Sequence, residues 1–223
     1  VGNCEYSEMT IFSFHPVKAI AAGEGGMITT NDEDIYRRIL RLRSHGINKM
    51  DDSIEFNEHA FTEGIKNPWY YEMQELGFNY RITEIQCALA ISQLSKLERF
   101  ISRRRELVKQ YDIAFSDIPN CCPAQSIGRD YSAHHLYVLR INFDDLDFNR
   151  AQLMTELRKK NIGTQVHYIP VPAHPYYNRL GFKMDDYLSA KKYYSEALSI
   201  PLYYDLTDED QKHVINVFKE FLS

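Results

Sequence analysis

The stretch Phe12-Ser13-Phe14-His15-Pro16-Val17-Lys18, followed by Gly23-Glu24-Gly25-Gly26, holds the residues of this chain best suited to chemistry. Met9 to Phe14 is a short apolar run of β-branched and aromatic residues and reads as a buried strand. Such a strand delivers Lys18 to its end, the place where ligands of α/β sheets bind. An unprotonated lysine amine attacks carbonyl carbon and forms Schiff bases. The ordinary lysine pKa is about 10.4, so a working site has to lower it by burial or by positive neighbours. Ser13, five residues upstream of Lys18, offers a hydroxyl to a phosphate, and the glycines let backbone approach a ligand closely. A lysine after a strand is solvated more often than catalytic, and Gly23 to Gly26 taken alone is a turn. Residue chemistry by itself leaves both readings of Lys18 open.

The other reactive side chains form no comparable group. The four cysteines, Cys4, Cys87, Cys121 and Cys122, contain no Cys-x-x-Cys, and two of them are adjacent. That is a poor disulfide framework and a poor zinc site, and it reads as reduced thiols in a cytoplasmic protein. His134-His135 lacks a third ligand at metal spacing, so no metal is expected. Arg103-Arg104-Arg105 reads as a solvated helix face. Tyr176-Tyr177 and Tyr203-Tyr204 read as packing rather than cofactor contacts. Twenty-six basic against thirty-one acidic side chains give a net charge of −5, without the basic excess that phosphate backbones attract, so no nucleic acid is expected. No run of about 18 apolar residues exists, so no membrane span is expected, and the first residues do not read as a basic-then-apolar leader. At 44% hydrophobic, 223 residues suffice for one large core or two small ones, which excludes a disordered chain.

These residues need elements to position them. The chain opens on Val1, and its strand at Met9 arrives with no earlier strand to flank it, so the sequence reads as the later part of a longer polypeptide. Gly25 to Thr30 predicts a second strand after the glycine turn. Asn31-Asp32 caps a helix from about Asp32 to Ser44, ended by Gly46. Asn48 to Glu75 is polar, aromatic and aperiodic, a long loop. Arg81 to Phe115 predicts a helix with a break near Phe100-Ile101-Ser102. Pro119 to Ser132 reads as a turn-rich linker. Beyond it come a strand at Leu136 to Ile141, a helix at Phe148 to Lys160, and a strand at Gly163 to Tyr168. Helices at Asp186 to Leu198 and at Asp208 to Leu222 complete a small α+β domain.

Three blocks in order add a resemblance. Ser13-Phe14-His15-Pro16-Val17-Lys18 with Gly23-Glu24-Gly25-Gly26 and Arg43-Ser44-His45-Gly46 is the first. Leu76-Gly77-Phe78-Asn79-Tyr80-Arg81-Ile82-Thr83-Glu84-Ile85-Gln86-Cys87-Ala88-Leu89 is the second, and Val166-His167-Tyr168-Ile169-Pro170-Val171-Pro172 the third. Together they resemble the DegT/DnrJ/EryC1/StrS sugar aminotransferases, and the similarity runs through the whole chain. The resemblance implies an α/β, fold type I pyridoxal-phosphate enzyme. Residues 1–95 would be the later part of its large three-layer domain, and residues 96–223 its small C-terminal α+β domain. Pro68-Trp69-Tyr70-Tyr71 and the Gln-Val-His-Tyr block look most like the subgroup that aminates C4 of UDP-4-keto-6-deoxy-N-acetylhexosamine on the route to pseudaminic acid.

On that resemblance Lys18 holds pyridoxal 5'-phosphate as a Schiff base and shuttles the proton between Cα of the donor, L-glutamate, and C4′ of the cofactor. Ser13 binds the cofactor phosphate. Asn79 reaches that phosphate from the neighbouring subunit, which implies a homodimer. His167 and Tyr168 line the sugar-nucleotide pocket, and Arg81 and Arg43 are candidates for the UDP diphosphate. Each has a plainer reading. Ser13 can satisfy local backbone, Asn79 can cap the helix near Arg81, and His167 can be a hydrogen-bonded, half-buried histidine. His15 reads as structural. The family's aspartate for the pyridine nitrogen and its ring-stacking aromatic lie upstream of the lysine and are not assignable in this chain. Two rivals remain: a dehydrase, against which the lysine at position 18 argues because a histidine replaces it there, and a non-catalytic dimerisation or interaction module.

Overall fold

The computed structural model describes residues 1–48 and 53–222, so part of the long polar stretch, residues 49–52, lies outside the described residues. The chain divides into two units, Val1–Lys96 and Leu97–Ser223.

In the first unit, β1 (Met9–Ser13) pairs antiparallel with β2 (Gly26–Thr30), Met9 opposite Thr30 and Ser13 opposite Gly26. The expectation of a buried strand is corrected. Thr10 and Phe12 are half-buried, whereas Ile11 on the other face is 72% exposed. A run of β-branched and aromatic residues reports a preference for the pleated backbone and leaves open what covers each face. α1 (Glu33–Leu42) starts on Asp32, whose carboxylate accepts from the Asp34 and Ile35 N–H groups at 2.9 Å. Glu33 and Asp34 place negative charge at the positive end of the helix dipole. The expected loop from Asn48 to Glu75 contains one helical turn, α2 (Asn57–Ala60), and a short ribbon of β3 (Phe61–Thr62) and β4 (Ile65–Lys66). α3 (Glu84–Leu94) begins with a capping box between Thr83 and Gln86. Thr83, not Asn79, therefore caps this helix.

In the second unit α4 (Leu97–Phe115) follows α3 after a break at Ser95 and Lys96. The break lies earlier than the expected Phe100 to Ser102. The apolar stripe continues across it, so periodicity alone does not locate it. β5 (Cys121–Pro123), β6 (Tyr137–Ile141), α5 (Arg150–Lys159), α6 (Pro175–Arg179), α7 (Leu188–Glu196), β7 (Ala197–Ile200) and α8 (Asp208–Leu222) complete the order. The strands form one antiparallel sheet, β5-β6-β7. Two expectations fail here. Gly163 to Tyr168 is not a strand; Gln165 makes only an isolated bridge to Ser199. The last residues of the expected helix Asp186 to Leu198 belong instead to β7, which is buried at all four positions. A short run that is buried at every position looks alike in a buried helix and a buried strand.

Alternation on β6 turns Tyr137, Leu139 and Ile141 inward against Leu107, Tyr111 and Phe115 of α4, Leu153 and Leu157 of α5, and Phe218 of α8. The polar ends of these rings are satisfied. The Tyr111 hydroxyl donates to the Pro201 carbonyl at 2.9 Å, and that of Tyr137 to Asp112 at 2.8 Å. Arg104 corrects the reading of Arg103 to Arg105 as a solvated face. It is 8% exposed, and one terminal nitrogen donates to the carbonyls of His134, His135 and Leu202 at 3.2, 3.2 and 3.0 Å. Burial pushes its pKa down. Three carbonyl dipoles converging on one guanidinium keep the charge tolerable inside.

Candidate functional site

The chemistry of the first unit starts at the end of β1. Phe14 N–H donates to the Gly25 carbonyl at 2.9 Å, and Ala22 N–H to the Phe14 carbonyl at 2.9 Å. These bonds close the segment between the two strands into a loop. Within it Lys18 N–H donates to the His15 carbonyl at 2.9 Å, a tight turn that sets the Lys18 Cα. Lys18 is half-buried. Ser13 is exposed at the mouth of the loop, and its hydroxyl accepts from His15 N–H at 3.4 Å, a long bond that a better partner displaces readily. His15 accepts from Val17 N–H at 3.4 Å and lies 3.9 Å from Glu24, so it braces the turn. A side chain at Gly25, whose φ is +134°, would come within 2.9 Å of Ile82. The glycine turn thus packs directly on the residue before the α3 cap.

The end of α1 is clasped to the second block. Phe78 N–H donates to Leu42 at 2.6 Å, His45 N–H to Phe78 at 2.8 Å, and Tyr80 N–H to Arg43 at 2.9 Å, with Ser44 bridged to Asn79. Phe78 and Tyr80 stack at 4.8 Å. The two backbones touch: a Cβ on Gly46 would lie 1.7 Å from the Glu75 carbonyl, and one on Gly77 2.0 Å from Gly46 N. Asn79 and Arg81 are exposed beside this crossing. The structure therefore brings Arg43-Ser44-His45-Gly46 against Gly77 to Arg81, and joins the Lys18 loop to the same segment through Gly25 and Ile82.

Sequence reasoning missed Glu72. Its carboxylate is buried and accepts from Glu55 N–H at 2.8 Å, Phe56 N–H at 2.7 Å, Tyr70 OH at 2.8 Å and Gln74 at 3.0 Å. Asn48 holds its backbone from the other side. Burial raises the carboxyl pKa, but the backbone bonds from Glu55 and Phe56 and the side-chain bonds from Gln74 and Tyr70 outweigh it and bring the pKa from 4.5 to about 2. A depressed carboxylate stabilises the fold above its unfolded pKa, and that contribution disappears as pH falls from 4.5 towards about 2. Glu72→Gln is expected to lower the thermal midpoint at neutral pH and to accelerate hydrogen exchange at the Glu55 and Phe56 amides. The gap to the native protein should narrow as pH falls below 4.5. A gap that stays constant down to about pH 3 would contradict this role.

In the second unit His167 is half-buried, its Nδ1 lies 2.8 Å from the Ser199 hydroxyl, and its ring meets Tyr168 edge-on at 4.6 Å. Tyr168 is 70% exposed. Among the described residues no three His, Cys, Asp or Glu side chains cluster to hold a metal ion, and no helix is long and apolar enough to cross a membrane.

The family profile of the DegT/DnrJ/EryC1/StrS aminotransferases matches residues 1–219. The chain belongs to that family. Spore coat polysaccharide biosynthesis protein SpsC of Bacillus subtilis is 36% identical over 96% of this chain and 54% of its own. The UDP-4-amino-4,6-dideoxy-N-acetyl-beta-L-altrosamine transaminase of Campylobacter jejuni is 33% identical over 93% of this chain and 50% of its own. The solved structure of Helicobacter pylori PseC, an aminotransferase involved in the biosynthesis of pseudoaminic acid, superposes with a TM-score of 0.80 at 29% identity, covering 97% of this chain and 54% of PseC. The chain spans about half the length of the curated relatives it matches. Membership of this aminotransferase family fits the mixed α/β architecture.

Proposed function

We propose that this chain carries the lysine-bearing part of a pyridoxal-phosphate aminotransferase that moves the amino group of L-glutamate to the 4-keto carbon of a UDP-4-keto-6-deoxy-N-acetylhexosamine, in a homodimer of the cytoplasm. The observation that carries the reading is the closed loop that holds a half-buried Lys18 and an exposed Ser13 hydroxyl at one end of β1. The family, and the printed activities of the Campylobacter and Helicobacter relatives, support the substrate class.

The donor set fits the cofactor. It pairs an amine for the cofactor aldehyde with a weakly engaged hydroxyl for its phosphate, and the exposed Asn79 amide serves the phosphate of the neighbouring subunit. When bound, pyridoxal phosphate supplies the electron sink for the donor carbanion. Lys18 would hold the cofactor through its aldehyde carbon and, once displaced by the donor amine, would carry the proton between Cα of glutamate and the cofactor C4′. Arg81 meets the UDP diphosphate, and His167 and Tyr168 border the sugar. In this reading residues 1–95 are the remainder of the large cofactor domain and residues 96–223 the small domain.

The test is an assay of full-length protein with L-glutamate, pyridoxal phosphate and a panel of UDP-4-keto sugars. The expected result is a 4-amino product from the N-acetylated 4-keto-6-deoxy hexose. Amination of none of the panel, together with a monomer that takes up no cofactor, would replace this reading with that of an interaction module.

A further inference from the structure

Ser199 is the one polar side chain of β7, between Leu198 and Ile200, and it is only 5% exposed. Its backbone does not need the hydroxyl. Ser199 N–H donates to the Gln165 carbonyl at 2.8 Å, and Gln165 N–H returns a bond to the Ser199 carbonyl at 3.1 Å. These two bonds lay the segment before His167 along β7. The hydroxyl is left to the His167 ring, and its partner among the described residues is Nδ1 at 2.8 Å. The direction of that bond follows from counting protons. A serine hydroxyl carries one proton and can also accept. If Nδ1 carried a proton and donated it, the serine proton would be shut in the interior with no acceptor, the costly way to leave a polar group. If the hydroxyl donates to Nδ1, every proton at the contact is used. Neutral His167 then carries its own proton on Nε2, because the bond at one ring nitrogen sets the state of the other.

We propose that Ser199 is a positioning residue of the sugar site: its hydroxyl fixes His167 as the Nε2–H tautomer, so that the ring donates a hydrogen bond to an acceptor oxygen of the UDP-sugar. The inference rests on the proposed function, which sets His167 beside the sugar. It deepens that reading in two ways. The substrate group that meets His167 is an acceptor, such as a carbonyl, a hydroxyl or a phosphate oxygen, and not a lone donor N–H. The same tautomer has no lone pair on Nε2, so His167 binds the sugar there and does not take a proton from it. Orientation is fixed together with protonation. The ring is held at Nδ1 by the serine and meets Tyr168 edge-on at 4.6 Å, so little rotation about its side-chain bonds is left to it.

The test uses full-length protein. Nitrogen NMR of isotope-labelled histidine reads the tautomer without turnover, the His167 ring being identified by its loss in His167→Gln. The native protein should show a proton on Nε2 and a bare Nδ1, and Ser199→Ala should show the averaged signals of two exchanging tautomers. KM for the UDP-keto sugar should rise about 10-fold in Ser199→Ala, while KM for L-glutamate hardly moves. Added to His167→Gln, the same substitution should change the sugar KM by less than about 2-fold, since a residue that acts through the histidine has nothing left to act on. A native ring protonated on Nδ1, or a tautomer unmoved by Ser199→Ala, would overturn the assignment. So would an equal rise in sugar KM with and without His167, or a lower thermal midpoint with tautomer and KM unaltered, since the hydroxyl would then serve the fold alone. A tautomer that follows Ser199, in a protein whose sugar KM ignores His167→Gln, would remove His167 from the sugar and leave its control by Ser199 standing.

Discussion

Replacing Lys18 with alanine is expected to lower amino transfer by the full-length protein at least about 1,000-fold, since one group both anchors the cofactor and carries the proton. The fold should survive. Lys18 is half-buried in a loop whose shape comes from backbone bonds, Phe14 N–H to Gly25, Ala22 N–H to Phe14 and Lys18 N–H to His15. None of these needs the amine. Arginine at position 18 preserves the positive charge but cannot add to an aldehyde at ordinary pH, so Lys18→Arg should be as inactive as the alanine variant. Borohydride reduction in the presence of pyridoxal phosphate, followed by peptide mass analysis, gives a readout independent of turnover. The native protein should gain a stable adduct on the peptide that contains position 18, and neither variant should. Retention of more than about a tenth of native activity by Lys18→Ala would remove the lysine from the chemistry. Ser13→Ala should act differently, weakening cofactor affinity while leaving the adduct obtainable at high cofactor concentration.

What the sequence told about this molecule depended on how local the signal was. The start of α1 was legible because Asp32 acts on its own helix, through bonds to Asp34 and Ile35. α8 was legible because it is long, with acidic residues in its first turn and a repeating apolar face. Three-residue β5 carried too little pattern to rise above the turns around it. β7 was hidden in the tail of α7 because Ala197 to Ile200 is buried throughout and follows the helix without a turn signal. The candidate site residues stand out as motifs, since Lys18, Asn79 and His167 sit in blocks that resemble a family. Two buried charges of the fold, Arg104 and Glu72, were not legible. Arg104 lies in a basic triplet that looks solvated, and its three acceptors come from residues 30 to 98 positions away. Glu72 takes backbone bonds from residues 16 and 17 positions upstream, inside a stretch with no periodicity. Long-range pairing of one charge with scattered backbone groups leaves no spacing rule to read.

Gly46→Ala is expected to destabilise the protein by more than about 3 kcal/mol. Two costs add. Gly46 has φ +69°, where an alanine Cβ is crowded by its own backbone. That Cβ would also sit 1.7 Å from the Glu75 carbonyl oxygen and 3.1 Å from Gly77 N. These are backbone atoms, so no rotamer change relieves the overlap, and the segment from Glu75 to Gly77 has to retreat. Gly64→Ala separates the two costs. Gly64 has φ +81°, and a Cβ there would meet nothing within 4 Å, so its substitution should cost only the left-handed conformation, about 1 kcal/mol. Urea midpoints of the two variants measure the difference directly. The same retreat pulls apart the bonds that join Arg43 to Tyr80 and His45 to Phe78. Equal urea midpoints for the two variants would show that the crossing of Gly46 over Glu75 and Gly77 yields easily, and with it would go the claim that backbone contact fixes Arg43 beside Asn79 and Arg81.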